Sequence, residues 1–507
     1  MNLNSIVIIL LSSFTFTQIR VIVAADNNVI DRLKADVAYL SGPELAGRNV
    51  PGPYGDKTAH WVAGRFAEIG LTPAVGDSAF MQKVPLITGL LDTAETMIRY
   101  RSSQPQGKNI TCLSSWGLEN GQGFYIFPKR LAPMDTSCKA LYCGHGIVSG
   151  DLERNDFRDV DGCAAVVSSG IGELTPREAG RFMFTPFKAA AADQAGAAML
   201  VEVYPPLGKD MALPPRIQRK SGEVNLPLVD LPETAAGFPT VHLFTDMKAQ
   251  DISGIDLKVV FKDMNQTRGF NVIAGLEGEI PEYIIVGAHY DHLGAVEGDE
   301  QNAYYHGADD NASGVAGLLE ICRRWHERNR TGRGLIAVAF TAEEDGMLGS
   351  RWFVDHLPVP REAVTAMVNL DEIGRRGFAN MRDVQKDIEP DPKYAGAYYS
   401  AASPKLRDIL RSAVHRVDLN VELEPVNNFS HFGDAGPFHE AHIPTVQLFS
   451  GFHKDYHSPS DTIDKLDFEK MSSMVDLTSA LLEVLTQAEN AIEFNPGIRV
   501  EKPHIPH

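Results

Sequence analysis

Residues 283–292 read YIIVGAHYDH: six apolar or small residues, then His289, Tyr290, Asp291 and His292. The apolar run is continuous rather than alternating, which marks a strand buried on both faces, as in a parallel central sheet. Three more runs have the same texture: LIAVAF at Leu335–Phe340, AVTAMVNL at Ala363–Leu370 and TVQLF at Thr445–Phe449. Helical patterns separate them at Ala312–Asn329, Gly349–His356 and Pro404–Val417, and a last one covers Phe468–Ala488. Strands alternating with helices predict an α/β fold of three layers, α/β/α, around a mixed, mostly parallel central sheet.

In open α/β sheets, ligands bind beyond the carboxyl ends of the strands. Every one of the four runs leads there into carboxylates or imidazoles. His289, Asp291 and His292 follow the first, and Glu343, Glu344 and Asp345 the second. Asp371 and Glu372 follow the third, and His453, Tyr456 and His457 the fourth. GADDNASG, between the first strand and its helix, adds Asp309 and Asp310. Singly, each has a plain structural explanation; Asp310, for example, sits where a helix N-cap belongs. Together, four or five carboxylates at one sheet edge repel one another unless a cation neutralises them. Oxygen and imidazole donors without thiolate suit zinc, and also manganese or cobalt. Three ligating carboxylates balance two divalent ions and a hydroxide, so the charge sum favours a pair of metals. One of two adjacent glutamates then ligates while the other stays free as a base.

VGAHYDHLG, GADDNASG, FTAEEDGMLGS, NLDEIG and DYHSPSDT, in this order, resemble the five metal-site segments of the co-catalytic zinc exopeptidases. Bacterial secreted aminopeptidases belong to that family, and glutamate carboxypeptidase, glutaminyl cyclase and the transferrin receptor share its fold. The resemblance implies two Zn2+ ions. His289, Asp310 and Asp371 would hold the first, and Asp310, Glu344 and His457 the second, with Asp310 bridging. It implies that Asp291 orients His289, that Glu343 is the general base, and that Tyr456 hydrogen-bonds the tetrahedral oxyanion. It also implies a cis peptide between Asp310 and Asn311. His292, His306, His431 and His453 are left to line the cleft.

Outside this region the texture changes. Two amphipathic helices open the mature chain, one with Val29, Ile30, Leu33, Val37 and Leu40 on its apolar stripe, the other ending at Gly70. LSGPELAGR, between them, is also similar to that family. Residues 88–266 carry short β-like runs, Pro/Gly turns and one Ala-rich helix at Phe187–Ala198. GHGIVSGDLERNDFRDVDGCAAVV followed by FKAAAADQAGAAMLV resembles a protease-associated domain. The expected organisation is therefore a peptidase domain over 26–87 and 267–490, an inserted protease-associated domain over 88–266, and a C-terminal tail over 491–507.

Residues 1–25 read as a signal peptide. IVIILLSSFTF at Ile6–Phe16 is too short to span a bilayer, and Val23-Ala24-Ala25 offers a cleavage site. A secreted or periplasmic protein, free of the membrane after cleavage, is the expectation. Of five cysteines, Cys112, Cys138 and Cys143 lie close enough in sequence for one disulfide, whereas Cys322 reads as core.

The 507 residues carry 47 Lys+Arg against 66 Asp+Glu, a net charge of −19, which argues against a nucleic-acid partner. With no G-x-S-x-G and no H-E-x-x-H, the sequence predicts a secreted di-zinc exopeptidase with a peptide substrate, an aminopeptidase first of all. A carboxypeptidase or dipeptidase is the alternative, with Arg375 or Arg376 as the carboxylate clamp, and a glutaminyl cyclase comes after it. Nothing in the sequence fixes the oligomeric state.

Overall fold

Alternate residues of the Ile280–His289 strand face two different cores. Ile284, Val286 and Ala288 pack into one cluster, and Ile285 into another. The first cluster includes the apolar faces of helices Asn27–Leu40, Pro53–Ile69, Gly314–His326 and Phe468–Gln487. The second holds Phe353 of helix Leu348–Asp355 and Phe438 of helix Ala435–Glu440. Helices thus cover both faces of the sheet, the expected three-layer α/β arrangement. The computed structural model describes residues 27–74, 80–92, 95–102, 113–114, 123–126, 133–149, 152–174, 185–206, 227–230, 238–296, 303–328, 332–384, 386, 388–429, 432–487 and 492–500. The signal-peptide reading, Cys112 and His431 fall outside them.

Among the described residues the principal sheet has ten strands. Its centre is parallel: Arg333–Phe340, Ile280–His289, Val364–Leu370 and Thr445–Phe449 lie side by side in that order. Parallel neighbours share a direction, so their carboxyl ends lie along one edge. Both flanks are antiparallel. On one side Phe261–Leu276 pairs with Arg333–Phe340 and with Met81–Leu91. On the other, Tyr394–Ser400 runs against Thr445–Phe449 and parallel to Asn420–Val426.

The expected helix from Ala312 begins with a wide turn at Ala308–Ser313 and becomes regular only at Gly314. Asp310 and Asn311 hold non-helical dihedrals there, and the peptide between them is cis.

The chain leaves this sheet after Leu91 and returns with Phe261. Between these points lies a second sheet, of eight strands among the described residues, with its own apolar clusters. Five of them lie side by side in the order Ile252–Val259, Met134–Tyr142, Ala164–Ser168, Met199–Tyr204 and Thr240–Phe244. The Ala-rich helix spans Thr185–Gln194. Pro227–Asp230 departs from this pattern and pairs back onto Met81–Leu91 at the edge of the principal sheet. Cys138, Cys143, Cys163 and Cys322 are free thiols, so the anticipated disulfide does not join Cys138 to Cys143.

Candidate metal centre

His289 is the last residue of its strand, and Asp371 directly follows Leu370 at the end of the neighbouring one. Glu343 and Glu344 follow Phe340 in a short loop, and His457 lies in the loop after Phe449. These connections are strained. Ala342, Glu372 and His457 take left-handed φ values of 51°, 49° and 51°, which non-glycine residues rarely adopt. Asp461 fixes the turn bearing Asp309 and Asp310, because its Oδ2 accepts both their amides at 2.9 and 3.1 Å. From the other side, fully buried Arg48 donates to the carbonyls of Gly307 (2.9 Å) and Asp310 (3.3 Å).

Asp310 turns one oxygen to each side of the cluster. Its Oδ1 lies 3.4 Å from His289 Nε2, which is 3.3 Å from Asp371 Oδ1. Its Oδ2 lies 3.1 Å from His457 Nε2, which is 3.3 Å from Glu344 Oε2. An ion with tetrahedral bonds of about 2.0–2.1 Å sets its ligand atoms roughly 3.3–3.4 Å apart. Charge-assisted hydrogen bonds are shorter, about 2.7–2.9 Å. Both groups are compact enough for a divalent ion to lie among their donor atoms, and Asp310 is common to the two. Three carboxylates and two imidazoles without thiolate suit zinc or a similar divalent metal.

Glu343 stands beside this set, with Oε2 4.0 Å from His289 Nε2. The Asp291 carboxylate accepts the amides of Glu343 (3.0 Å) and Glu344 (3.2 Å). It lies 3.9 Å from His289 Nδ1, whose nearer contact is the Asp291 carbonyl at 3.2 Å. The structure thus gives Asp291 a hold on the glutamate loop more direct than its hold on the imidazole. Tyr456 is 44% exposed and stacks on His457 with ring centroids 3.8 Å apart.

Two neighbours were not expected here. His292, read as cleft lining, is buried with Nδ1 2.7 Å from Glu344 Oε1. The repeated imidazole in HYDH was the available signal. Asp434 is also buried and has a charge interaction with His289. It lies in the FGDAG loop, which no predicted strand precedes, so no positional rule singled it out. Gly433, before it, is left-handed at φ 51°, and a Cβ there would sit 3.0 Å from Asp371 Oδ2. His306 lies apart, with Nδ1 3.1 Å from the Ser41 carbonyl. His453 joins Asp309 and Glu372 in a separate group.

Burial dominates the electrostatics. It pushes the Asp291 and Asp434 carboxyls up to about 7, and raises Glu343 and Asp371 as well. Burial and Glu344 press Asp310 the same way, but His292 and His457 outweigh them and hold it below the usual carboxylate range. The unbalanced acids are what divalent cations would neutralise.

The model of peptidase family M28 matches residues 271–482, the span containing all the residues of this centre. The uncharacterized protein YfbL of Escherichia coli strain K12 is 33% identical over 238 residues, covering 42% of this chain and 70% of that protein. Aminopeptidase YwaD of Bacillus subtilis strain 168 is 25% identical over 345 residues, covering 64% and 63%. In fold, the chain resembles the aminopeptidase from Aneurinibacillus sp. strain AM-1, with a TM-score of 0.52 at 18% identity over 93% of this chain and 96% of that one. The family match and the extent of the similarity to YfbL place this chain in peptidase family M28, and it is a metallopeptidase.

Proposed function

We propose that the chain is a secreted aminopeptidase working with two zinc ions, held by His289, Asp310 and Asp371 and by Asp310, Glu344 and His457. The observation that carries this reading is the division of Asp310 between His289 and His457. Such ions, when bound, polarise the scissile carbonyl and lower the pKa of water. Glu343 takes the proton from the attacking water and passes it to the leaving amine. Asp291 fixes the loop from which Glu343 reaches in, and Tyr456 donates to the developing oxyanion. YwaD and the Aneurinibacillus protein, both named aminopeptidases, point the same way.

The end of the peptide is chosen by charge. A free α-amine finds carboxylates in this cleft, whereas a C-terminal carboxylate needs an available cation. Arg375 is buried and committed to Asp455 (2.6 Å) and Asp461 (3.3 Å). Arg376 is paired with Asp467 at 2.5 Å. Both residues considered for a carboxypeptidase clamp thus have acidic partners, which favours the aminopeptidase reading. The inserted sheet is assigned as a protease-associated domain beside the cleft. Export rests on the apolar Ile6–Phe16 segment; among the described residues no helix is long and apolar enough to cross a membrane.

The deciding experiment compares amino-acid anilides with N-acylated dipeptides, with and without chelator. Chelator-sensitive cleavage of the anilides alone is expected. Cleavage of only the blocked dipeptides would reverse the assignment.

A further inference from the structure

Asp309, Glu372 and His453 form a displaced copy of the ligand set already described. Asp309 precedes Asp310, Glu372 follows Asp371, and His453 lies four residues before His457. The three converge on their own point. His453 Nε2 is 3.4 Å from Asp309 Oδ2 and 3.1 Å from Glu372 Oε2. These are the spacings seen around His289 and His457, and they are longer than the 2.7 Å bond between His292 and Glu344.

The groups are buried: Asp309 is 0% exposed, His453 5% and Glu372 8%. Asp309 Oδ1 is satisfied by the Gly374 amide at 2.6 Å. Asp309 Oδ2, His453 Nε2 and His453 Nδ1 have no hydrogen-bond partner. A carboxylate oxygen and an imidazole nitrogen, buried and facing each other without a well-formed hydrogen bond, are costly unless an added proton or a cation lies between them. The nearby cations are engaged elsewhere. Arg375 holds Asp455 and Asp461, and Lys470 Nζ donates to the carbonyls of Arg375 and Ser450 at 2.8 and 2.9 Å. His453 also lines a cavity of about 1230 Å³ bordered by Lys454 and Leu466.

We propose that Asp309, Glu372 and His453 bind a third divalent cation, zinc or a metal of similar ligand preference, next to the paired centre. Two carboxylates cancel its charge, and one imidazole with two oxygens suits a borderline-soft ion. It shares no ligand with the pair. Its links to the pair are the adjoining peptides Asp309–Asp310 and Asp371–Glu372, so it would brace the backbone that carries two ligands of the first ion.

Zinc stoichiometry tests this in the full chain. Metal-stripped protein is reloaded with Zn2+, desalted and measured by elemental analysis and native mass spectrometry, for the wild type and for His453→Gln, Glu372→Gln and His457→Gln. Three ions in the wild type and two in either His453→Gln or Glu372→Gln are expected. A wild type that saturates at two, with an ion lost in His457→Gln but not in His453→Gln, overturns the third site and leaves the paired centre standing. Stoichiometry unchanged in every variant would sink both readings. If the His453 and Glu372 variants fail to fold, anomalous scattering at the zinc edge from wild-type crystals decides. A peak within bonding distance of His453 Nε2 supports the site. No peak there means that a protonated imidazole bridges the carboxylates instead.

Discussion

Arg48 and Asp310 are joined behind the metal centre: the guanidinium donates to the Asp310 carbonyl while the Asp310 side chain faces the imidazoles. The same guanidinium holds the carbonyls of Tyr290, Leu40, His306 and Gly307 at 2.7–2.9 Å. Burial lowers its pKa to about 10, which leaves it charged at neutral pH. One buried side chain thus ties the first helix to the segments bearing His289 and Asp310. Lysine has neither the planar fork nor five donors. Arg48→Lys should cost roughly 2–4 kcal/mol, because several buried carbonyls lose their partner. Denaturant unfolding would show it, and zinc affinity should fall in the same variant.

Glu343 is placed next to the proposed ligands without belonging to either group of three, which is the position a base requires. Glu343→Gln should lower turnover by roughly two to four orders of magnitude. Zinc content should match the wild type, since the paired spacings involve other residues. Loss of metal together with activity would make Glu343 a ligand instead.

The central strands could be read in the sequence because burial on both faces leaves an unbroken apolar run; Thr445–Phe449 has the predicted bounds. Tyr394–Ser400 could not, because YAGAYYS mixes Ala and Gly with tyrosines and carries neither an alternating nor a β-branched signal. At the site, the same logic found residues that end a strand or directly follow one, such as His289 and Asp371. Asp434 escaped it, being brought in from a loop by tertiary packing alone. Arg48 was visible only as part of a familiar segment, since a buried arginine that bonds to carbonyls leaves no periodic trace.

Removing the metals should expose the repulsion within the centre. Asp291 and Asp434 have folded-state values near 7, against about 4 for an unfolded chain. Between these limits the folded chain holds more protons, so the stripped protein loses stability as pH rises. Bound cations cancel that loss and add binding energy of their own. The difference in melting temperature between loaded and stripped protein should therefore widen from pH 5 to pH 8. A constant difference would mean that these acids do not titrate as described.

A separate pH effect belongs to the inserted sheet. His242 is buried and lies 3.7 Å from Glu202, whose carboxylate is bonded to Lys188 at 2.6 Å. Burial lowers the imidazole to about 4, with Lys188 acting in the same direction and Glu202 opposing. An unfolded histidine titrates near 6.5, so the unfolded state binds the extra proton between pH 6.5 and 4. This contribution is present above pH 6.5 and is lost as pH falls. In His242→Gln the drop in unfolding free energy between pH 7 and 4.5 should shrink by on the order of 2 kcal/mol. An equally steep drop in the variant would place the titration elsewhere.

His292 bears on the proposed second ion through Glu344. Its Nδ1 binds Glu344 Oε1 at 2.7 Å and leaves Oε2 facing His457 at 3.3 Å. A carboxylate fixed through one oxygen presents the other at a defined angle, and such supporting bonds are worth roughly 10–100-fold in metal affinity. His292→Phe keeps an aromatic ring in the buried position but loses that contact. Zinc affinity, measured by competition with a chelator, should fall by that factor for one ion, and excess zinc should restore part of the lost activity. Unchanged affinity would mean that His457 and Asp310 hold Glu344 in place through the ion alone. Loss of the ion even in excess zinc would instead make His292 a ligand in its own right.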